Sequence, residues 1–187
     1  MFQIRIHGRG GQGVVTAAEI LSIAGFMEGQ HAQAFPSFGS ERMGAPVMAF
    51  CRLDEREIRL REPVMAPDAL IIQDTTLLHQ VDLFQGLDRR HGYLIINTTK
   101  RYDELGIGEY VNSFLPHHIC TVAASEWARK FIGRPVPNIA LLGAFCALTR
   151  RVKLESLQEA VLEKFPGRIG EMNQKAAAAA YDAIRLN

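Results

Sequence analysis

Four glycines stand directly between an apolar run and a helical pattern in the segment IRIHGRGGQGVVTAAEIL, residues 4–21. Residues 2–6 alternate apolar and polar side chains, which predicts a β-strand. In residues 14–27 the apolar positions cover most of a helical circumference, which predicts a helix that is covered on several sides. A strand, a tight glycine turn and a helix in this order favour an α/β domain with a ligand loop at the turn.

The rest of the chain continues the alternation of strands and helices. Strands are predicted at 46–53 and 57–62, as the two arms of a β-hairpin, and at 67–74, 92–99 and 117–124. Helices are predicted at 75–87, 125–133, 139–150 and 154–165, and from about residue 169 onward. The pattern predicts a single domain over residues 1–187. Its expected fold is a three-layer α/β/α Rossmann-like domain, with a largely parallel sheet and the hairpin added as an antiparallel edge.

Residues 30–45, QHAQAFPSFGSERMGA, mix glycine, proline and serine with aromatic and charged side chains. This composition indicates a loop, which is either an ordinary surface loop or one that carries an interaction or a site. Phe35, Phe38 and Met43 fit the local core; if they are exposed, they indicate an interface.

Composition and charge exclude several classes of protein. The 21 basic and 20 acidic residues leave a net charge of +1, so no electrostatic footprint for nucleic acid or an acidic membrane is present. Cys51, Cys120 and Cys146 are far apart and form no C-x-x-C motif, which argues against an iron–sulfur cluster or zinc site on this chain. The few cysteines fit a reducing compartment, and neither a signal peptide nor a long apolar run is visible. We therefore expect a cytoplasmic protein with no membrane span.

The glycine segment allows more than one interpretation. Gly8-x-Gly10-x-x-Gly13 matches the dinucleotide fingerprint, in which glycines bring the backbone and a helix N-terminus close to a pyrophosphate. The alternative is a tight crossover that binds nothing. An NAD site also needs an acidic residue about 20 positions later, at the end of the second strand. Gln30, His31 and Gln33 occupy that region, and Glu28 precedes it, so the sequence disfavours a stand-alone dehydrogenase.

Three segments together resemble the gamma subunit of the 2-oxoacid:ferredoxin oxidoreductases, the pyruvate and ketoisovalerate enzymes. They are GRGGQGVVTAAEIL, QAFPSFGSERMGAPVMAFCRL and PNIALLGAF, and the resemblance extends over nearly the whole chain. It implies a complex that decarboxylates a 2-oxoacid on thiamine diphosphate with Mg²⁺, passes electrons through iron–sulfur clusters to ferredoxin, and transfers the acyl group to coenzyme A. It also implies alpha, beta and possibly ferredoxin-like delta subunits as partners. This chain would then be inactive alone, bind no cofactor by itself, and help to form the coenzyme A side of the site.

The residues expected to bind lie in two of these segments. They are Gly8, Arg9, Gly10, Gly11, Gln12, Gly13, Ser37 and Arg42. The glycines would shape the loop, while the side chains of Arg9 and Gln12 would be free to meet a phosphate of coenzyme A or another subunit. The alternatives are a solvated Arg9, and an Arg42 that pairs structurally with Glu41 or Asp54. No catalytic residue or metal site is expected.

Other polar residues have ordinary structural interpretations. We expect a hydrogen-bonded structural role for His7, a capping role for Asn138 and a buried position for Cys51. His117 and His118 would point to opposite faces of a strand, which makes them a poor metal pair. Two further functions stay open at this stage: a stand-alone Rossmann-type NAD(P)-binding oxidoreductase, and a purely structural assembly module.

Overall fold

One mixed six-stranded sheet, in the order β2-β3-β1-β4-β5-β6, organises the protein in a computed structural model that describes residues 1–37 and 43–185. The strands are β1 (Phe2–Arg9), β2 (His31–Pro36), β3 (Pro46–Asp54), β4 (Ala69–Ile72), β5 (Tyr93–Asn97) and β6 (Ile119–Val122). The helices are α1 (Val14–Met27), α2 (Gly108–Val111), α3 (Ala124–Ile132), α4 (Asn138–Thr149), α5 (Leu154–Lys164) and α6 (Arg168–Arg185). Single 3₁₀ turns occupy Thr75–His79, Asp103–Leu105 and Pro116–His118.

Strands β1, β4, β5 and β6 run parallel, whereas β3 is antiparallel to both of its neighbours, β1 and β2. In the register, Ile6 of β1 faces Ile71 of β4 on one side and Ala49 of β3 on the other. The predicted α/β class with a largely parallel sheet and added antiparallel strands is confirmed.

The two faces of the sheet are covered unequally. Alternate apolar residues such as Ile4, Ile6 and Ile71 pack against α1, α3, α4, α5 and α6 in the larger core. The opposite face is covered by short elements over β4 and β5, where Leu70, Ile72 and others pack against the 3₁₀ turns and α2. We call this second side the short-element face. The third layer of the fold is therefore built of single turns and loops.

The longest helix is held close to its neighbour by small residues. Ala176, Ala177 and Ala180 are fully buried, and a Cβ at Gly143 of α4 would overlap the backbone carbonyl of Ala177. The alanine run is thus a helix–helix contact surface, as predicted for a docked C-terminal helix. Among the described residues, no helix has the length and apolar character that crossing a bilayer requires.

Two predicted elements are wrong in the region after β3. Residues 57–62 form no strand, because both edges of β3 are already paired with β1 and β2. Instead, the carbonyls of Leu60 and Glu62 accept hydrogen bonds from Gln33 at 2.8 Å and Arg52 at 2.6 Å. The segment therefore crosses the short-element face, held by side chains of the sheet below it.

The predicted helix at 75–87 is also shorter than expected. Only Thr75–His79 forms a helical turn, and Asp74 caps it by accepting a hydrogen bond from the Thr76 amide. The carbonyls of Leu83 and Gln85 are turned inward to the buried Arg5 guanidinium at 2.9 Å and 2.6 Å, so they are not available to a helical hydrogen-bond ladder. The loop predicted from residue 30 begins later than expected, since His31–Pro36 forms the edge strand β2.

Candidate binding site at the glycine loop

The glycine loop lies at the point where the chain changes direction across the sheet. From β1 the chain passes through α1 to β2 on one side, and later returns to β4 on the other side of β1. In open α/β sheets, ligands bind at such a switch point, outside the carboxyl ends of the strands. Here this crevice lies between the ends of β1 and β4, where the Gln73 amide donates to the His7 carbonyl at 2.8 Å.

Backbone contacts fix the shape of the loop. The amide of Gly10 donates to the Ala45 carbonyl at 2.9 Å, and the amide of Gly44 donates to the Gly10 carbonyl at 3.1 Å. Gly11 and Gly13 have positive φ angles of 93° and 69°. The second and third glycine positions of the fingerprint therefore serve different purposes, since Gly10 pairs with the segment that enters β3 while Gly13 turns the chain into α1.

Asn138 connects the third sequence segment to this loop. Its Nδ2 donates to the Gly13 carbonyl at 3.2 Å, and its Oδ1 accepts from the Ile139 amide at 2.9 Å. Pro137 occupies the cap position of α4, and Asn138 is the first residue of the helix. The predicted capping position of Asn138 is therefore off by one residue. The residue is buried and holds the end of the glycine loop as well as the start of its own helix.

Arg9 and Gln12 are engaged within the protein, which corrects the expectation that their side chains are free. The Arg9 guanidinium donates to Thr76 Oγ1 at 2.6 Å, to Gln80 Oε1 at 3.0 Å and to the Gly44 carbonyl at 3.0 Å. Gln12 accepts from the Arg9 amide at 2.8 Å through Oε1 and donates to Asp74 Oδ2 at 2.8 Å through Nε2. Both side chains brace the loop against the turn that follows β4.

Asp74 is the centre of this bracing, and sequence reasoning missed it. Burial by itself raises the pKa of Asp74, but hydrogen bonds from Thr76 and Gln12 and the charge of Arg9 outweigh it and lower the pKa. The nearest approach to Arg9 is 3.4 Å, between Asp74 Oδ2 and Arg9 Nε. The sequence did contain a signal, because Asp74 ends the predicted strand 67–74 and parallel strands end at the same edge of a sheet.

The predicted residues of the second segment are only partly placed. Ser37 follows β2 and its amide donates to the Met48 carbonyl at 2.8 Å, so it lies at the same end of the sheet as the glycine loop. Arg42 lies outside the described residues, as do Phe38 and Glu41. Phe35 stacks at a tilt on Phe50, with ring centroids 5.1 Å apart. Met43 is 86% exposed.

A pocket of about 610 Å³ opens beside the loop on the short-element face, and His7 lies at its floor. We call it the His7 pocket; most of its wall is apolar, from residues that include Val47, Met48, Phe50, Pro63, Val64, Met65 and Val81. Burial and the neighbouring Arg5 lower the pKa of His7 to about 4, so the ring is neutral at physiological pH. Nε2 of His7 is buried and has no hydrogen-bond partner among the described residues, which corrects the expectation of a hydrogen-bonded structural histidine.

The described residues do not fit an iron–sulfur cluster or a metal ion. Cys51, Cys120 and Cys146 are all buried, and burial raises the pKa of each thiol, to about 12 for Cys120. No group of three or more His, Cys, Asp or Glu side chains suited to a metal occurs in the part of the chain that is described. His118 stacks on Tyr93 at a centroid distance of 4.2 Å and meets His117 edge-on, an aromatic arrangement rather than a metal pair.

The strand order also separates this loop from a dinucleotide site. In a dinucleotide-binding fold a parallel strand lies beside β1 on the side away from β4 and presents the acidic residue for the ribose. Here the antiparallel β3 takes that place, and the entering end of β3 faces the loop.

The family model of pyruvate ferredoxin/flavodoxin oxidoreductase matches residues 3–183 of the chain. The chain belongs to this family. Among relatives, the pyruvate synthase subunit PorC of Methanocaldococcus jannaschii is 46% identical over 184 residues, covering 98% of this chain and 97% of that protein. The pyruvate/ketoisovalerate oxidoreductases common subunit gamma of Pyrococcus furiosus is 44% identical over 186 residues, covering 100% of this chain and 98% of the other.

Two solved structures share the same architecture. Pyruvate oxidoreductase subunit PORC of Thermotoga maritima superposes with a TM-score of 0.81 at 34% identity, covering 97% of this chain and 95% of that one. A 2-oxoglutarate:ferredoxin oxidoreductase of Magnetococcus marinus contains the fold in 31% of its chain, at a TM-score of 0.70 and 16% identity. The Thermotoga structure confirms the α/β fold over nearly its full length. The Magnetococcus likeness extends to the fold alone.

Proposed function

We propose that this chain is the gamma subunit of a multi-subunit 2-oxoacid:ferredoxin oxidoreductase and is inactive on its own. The observation that carries the proposal is that the alignments cover nearly the whole of this chain and nearly the whole of each relative. The chain matches 97% of the length of a PorC subunit and 98% of a common gamma subunit, at 46% and 44% identity. Relatives of the same length that are named as subunits favour a subunit role over a stand-alone NAD(P)-dependent enzyme.

The chemistry of the described residues supports a division of labour in such a complex. The three thiols are buried and held in their protonated form, which is unsuited to cluster ligation. The described residues also lack a group of carboxylates for the Mg²⁺ of thiamine diphosphate. We therefore assign decarboxylation and electron transfer to alpha, beta and ferredoxin-like delta subunits, with ferredoxin as the final acceptor.

For this chain itself we propose a part in the coenzyme A side of the site, at the glycine loop. When bound in the complex, coenzyme A supplies the thiol that accepts the acyl group. The first turn of α1 offers backbone amides that have no carbonyl partner within the helix, and its positive dipole end favours a phosphate. Gly8, Gly11 and Gly13 allow the close approach of Val14, Met43 and Asn138 that sets the shape of the loop. Gly10 pairs with the segment that enters β3, and Ser37 and Arg42 belong to that neighbouring segment.

Arg9 and Gln12 take a changed role in this proposal. Their donors are engaged by Thr76, Gln80, Gly44 and Asp74, so they act as positioning residues that set the conformation of the loop. Arg9 adds its positive charge at the same place, although the carboxylate of Asp74 at 3.4 Å offsets part of it.

The choice of 2-oxoacid belongs to other subunits in this account. The Pyrococcus relative is named as a subunit common to the pyruvate and ketoisovalerate oxidoreductases, so that protein serves enzymes with two different substrates. If this chain has the same arrangement, mutations in it should change the KM of the complex for coenzyme A more than the preference of the complex among 2-oxoacids.

Kinetics of the assembled complex test the coenzyme A role. Arg9→Gln removes the charge and several of the loop-bracing hydrogen bonds, and we expect the KM for coenzyme A to rise about tenfold while the KM for the 2-oxoacid stays within twofold. Arg59→Gln is the matched control, because the Arg59 side chain is 84% exposed and pairs only with Glu57 in the described residues. Equal KM values for coenzyme A in both variants and the wild type would contradict the coenzyme A role of the loop.

A further inference from the structure

The half of the short-element face formed by β2, β3 and β1 is covered by loop segments rather than by helices in the described part of the chain. Over β4 and β5 this face has its own apolar cluster. Over the other half, the sheet presents Arg5, His7, Met48, Phe50 and Arg52, which alternate with the residues that face the helices. Among the described residues, the segment 57–66 and the turn at 81–85 cross above them.

These crossing segments leave the His7 pocket open. Its volume of about 610 Å³ lies within the range of pockets that hold a ligand or a large side chain. His7 is 8% exposed, and its Nε2 has no hydrogen-bond partner among the described residues. A buried polar atom without a hydrogen-bond partner is unfavourable, so this atom favours an occupant that can pair with it.

Exposed apolar side chains continue outward from the pocket. Met65 is 61% exposed and Val81 is 40% exposed, and both line its rim. At the glycine loop, Met43 packs against Gly11 and is 86% exposed. A small ligand inside the pocket would not need apolar side chains beyond the opening, whereas a protein surface would cover them.

Charge selects the kind of group that can enter. The terminal nitrogens of Arg5 donate to the carbonyls of Val64, Leu83 and Gln85, while its Nε is buried without a partner among the described residues. The carboxylate of Asp82, which also lines the pocket, acts on Arg5 with the opposite charge. The ring of His7 is neutral. The pocket therefore suits an uncharged and mainly apolar side chain that carries one hydrogen-bonding atom, such as tyrosine or tryptophan.

We propose that the His7 pocket and its rim of Met65 and Val81 are the surface by which this chain docks on another subunit of its complex, and that an uncharged side chain of that subunit enters the pocket and hydrogen-bonds to His7. This inference rests on the proposed function as a subunit, and it identifies the surface through which the subunit would bind its partner. The helix-covered side also exposes apolar residues, such as Phe26 at 72% and Ile169 at 57%, but these residues do not line the His7 pocket.

Competition for assembly tests this surface. The wild-type chain and a variant, with different tags, are co-expressed with the alpha and beta subunits, and the ratio of the two tags in the purified complex is measured. Met65→Lys combined with Val81→Lys places two charges in the interface, and we expect at least about tenfold lower incorporation than wild type. Ile169→Lys is the matched control on α6, since Ile169 is 57% exposed and distant from the pocket, and we expect incorporation within twofold of wild type.

A second variant tests the pocket itself. His7→Phe keeps an aromatic ring but removes the hydrogen bond, and we expect about three- to tenfold lower incorporation with the rim intact. Thermal unfolding of each isolated variant, within a few degrees of wild type, shows that the fold is retained. If His7→Phe unfolds early, the rim variant alone decides, because its two residues are exposed.

The outcomes separate the two proposals. If the wild-type chain enters no complex with alpha and beta, the proposed function fails and the docking surface fails with it. If the wild-type chain assembles but the rim variant competes as well as Ile169→Lys, the function stands and the docking surface is overturned. If the isolated wild-type chain dimerises and the rim variant is monomeric, the occupant is a second copy of this chain, which also overturns the proposal.

Discussion

Gly13→Ala tests how the first and third sequence segments depend on each other. Gly13 has a φ of 69°, a conformation that disfavours any side chain. A Cβ at this position would also overlap Nδ2 of Asn138, the atom that donates to the Gly13 carbonyl. Alanine therefore brings two separate penalties, one in the backbone and one at a buried polar neighbour.

The size of the effect follows from these two penalties. The left-handed conformation costs alanine about 1–2 kcal/mol. Displacing Asn138 weakens hydrogen bonds of 3.2 Å and 2.9 Å at a residue that is only 5% exposed, which adds about 1–2 kcal/mol. For a chain of this length, the sum of about 2–4 kcal/mol lowers the Tm by roughly 5–15 °C.

Gly29→Ala is the matched control for the backbone penalty. Gly29 has a φ of 80°, and a Cβ there would have no atom within 4 Å. We expect thermal unfolding of the isolated chain to show about 1 kcal/mol of destabilisation for Gly29→Ala. In the background of Asn138→Ala, Gly13→Ala should fall to the same small value, because the overlapping atom is gone. A Gly13→Ala variant that is no less stable than Gly29→Ala would refute the reasoning.

Three further predictions concern buried titratable groups. Because the pKa of Asp74 is lowered in the folded chain, its contribution is present above about pH 4 and lost at lower pH. We therefore expect Asp74→Asn to destabilise the chain by about 1 kcal/mol at pH 7 and by progressively less as the pH falls below about 4, as measured by urea unfolding. The pKa of His7 falls to about 4 through burial and Arg5, with Asp82 also at the pocket, so protonation favours unfolding between pH 6.5 and 4. In His7→Phe, the free energy of unfolding should fall by about 3 kcal/mol less than in the wild type between pH 6.5 and pH 4. An unchanged dependence of this free energy on pH would contradict a buried, neutral His7. Finally, the buried thiols with raised pKa values should resist iodoacetamide in the native chain, and all three should react in urea; rapid native labelling would contradict their burial.

Local patterns were sufficient to predict the start of the fold. The alternation at the start of β1, the glycine turn and the all-round apolar helix α1 each act within a few residues, so the sequence contained what decides them. The end of β1 was wrong: the strand runs to Arg9 rather than to residue 6, because Gly8 and Arg9 pair with β3. The predicted helices 125–133, 139–150 and 154–165 are confirmed for the same reason as α3, α4 and α5, within one or two residues.

Long-range contacts decide the elements that the sequence misplaced. Residues 57–62 have strand composition, yet Arg52 and Gln33 bind their carbonyls from the sheet below. Residues 80–87 have a helical pattern, yet Arg5, about 80 positions earlier in the chain, takes their carbonyls instead. Buried arginines that bond to backbone carbonyls give no periodic signal, so neither outcome could be anticipated from local patterns.

The sequence predicted where the glycine loop lies in the fold, but not which hydrogen bonds hold it. The fingerprint glycines marked the loop, and their place at the switch point followed from the fold class. The bonds from Arg9 to Thr76 and from Gln12 to Asp74 join residues more than 60 positions apart, and only the register of β1 with β4 brings them together. The predicted binding roles of these loop residues and of Ser37 and Arg42 stay predictions.

Reconstitution tests the central claim most directly. The alpha and beta subunits are purified with and without this chain, and 2-oxoacid-driven dye reduction is measured as a function of coenzyme A concentration. The account predicts full, coenzyme A-dependent activity only when this chain is present, and none from the chain alone. Full coenzyme A-dependent activity of the partner subunits without this chain would contradict it.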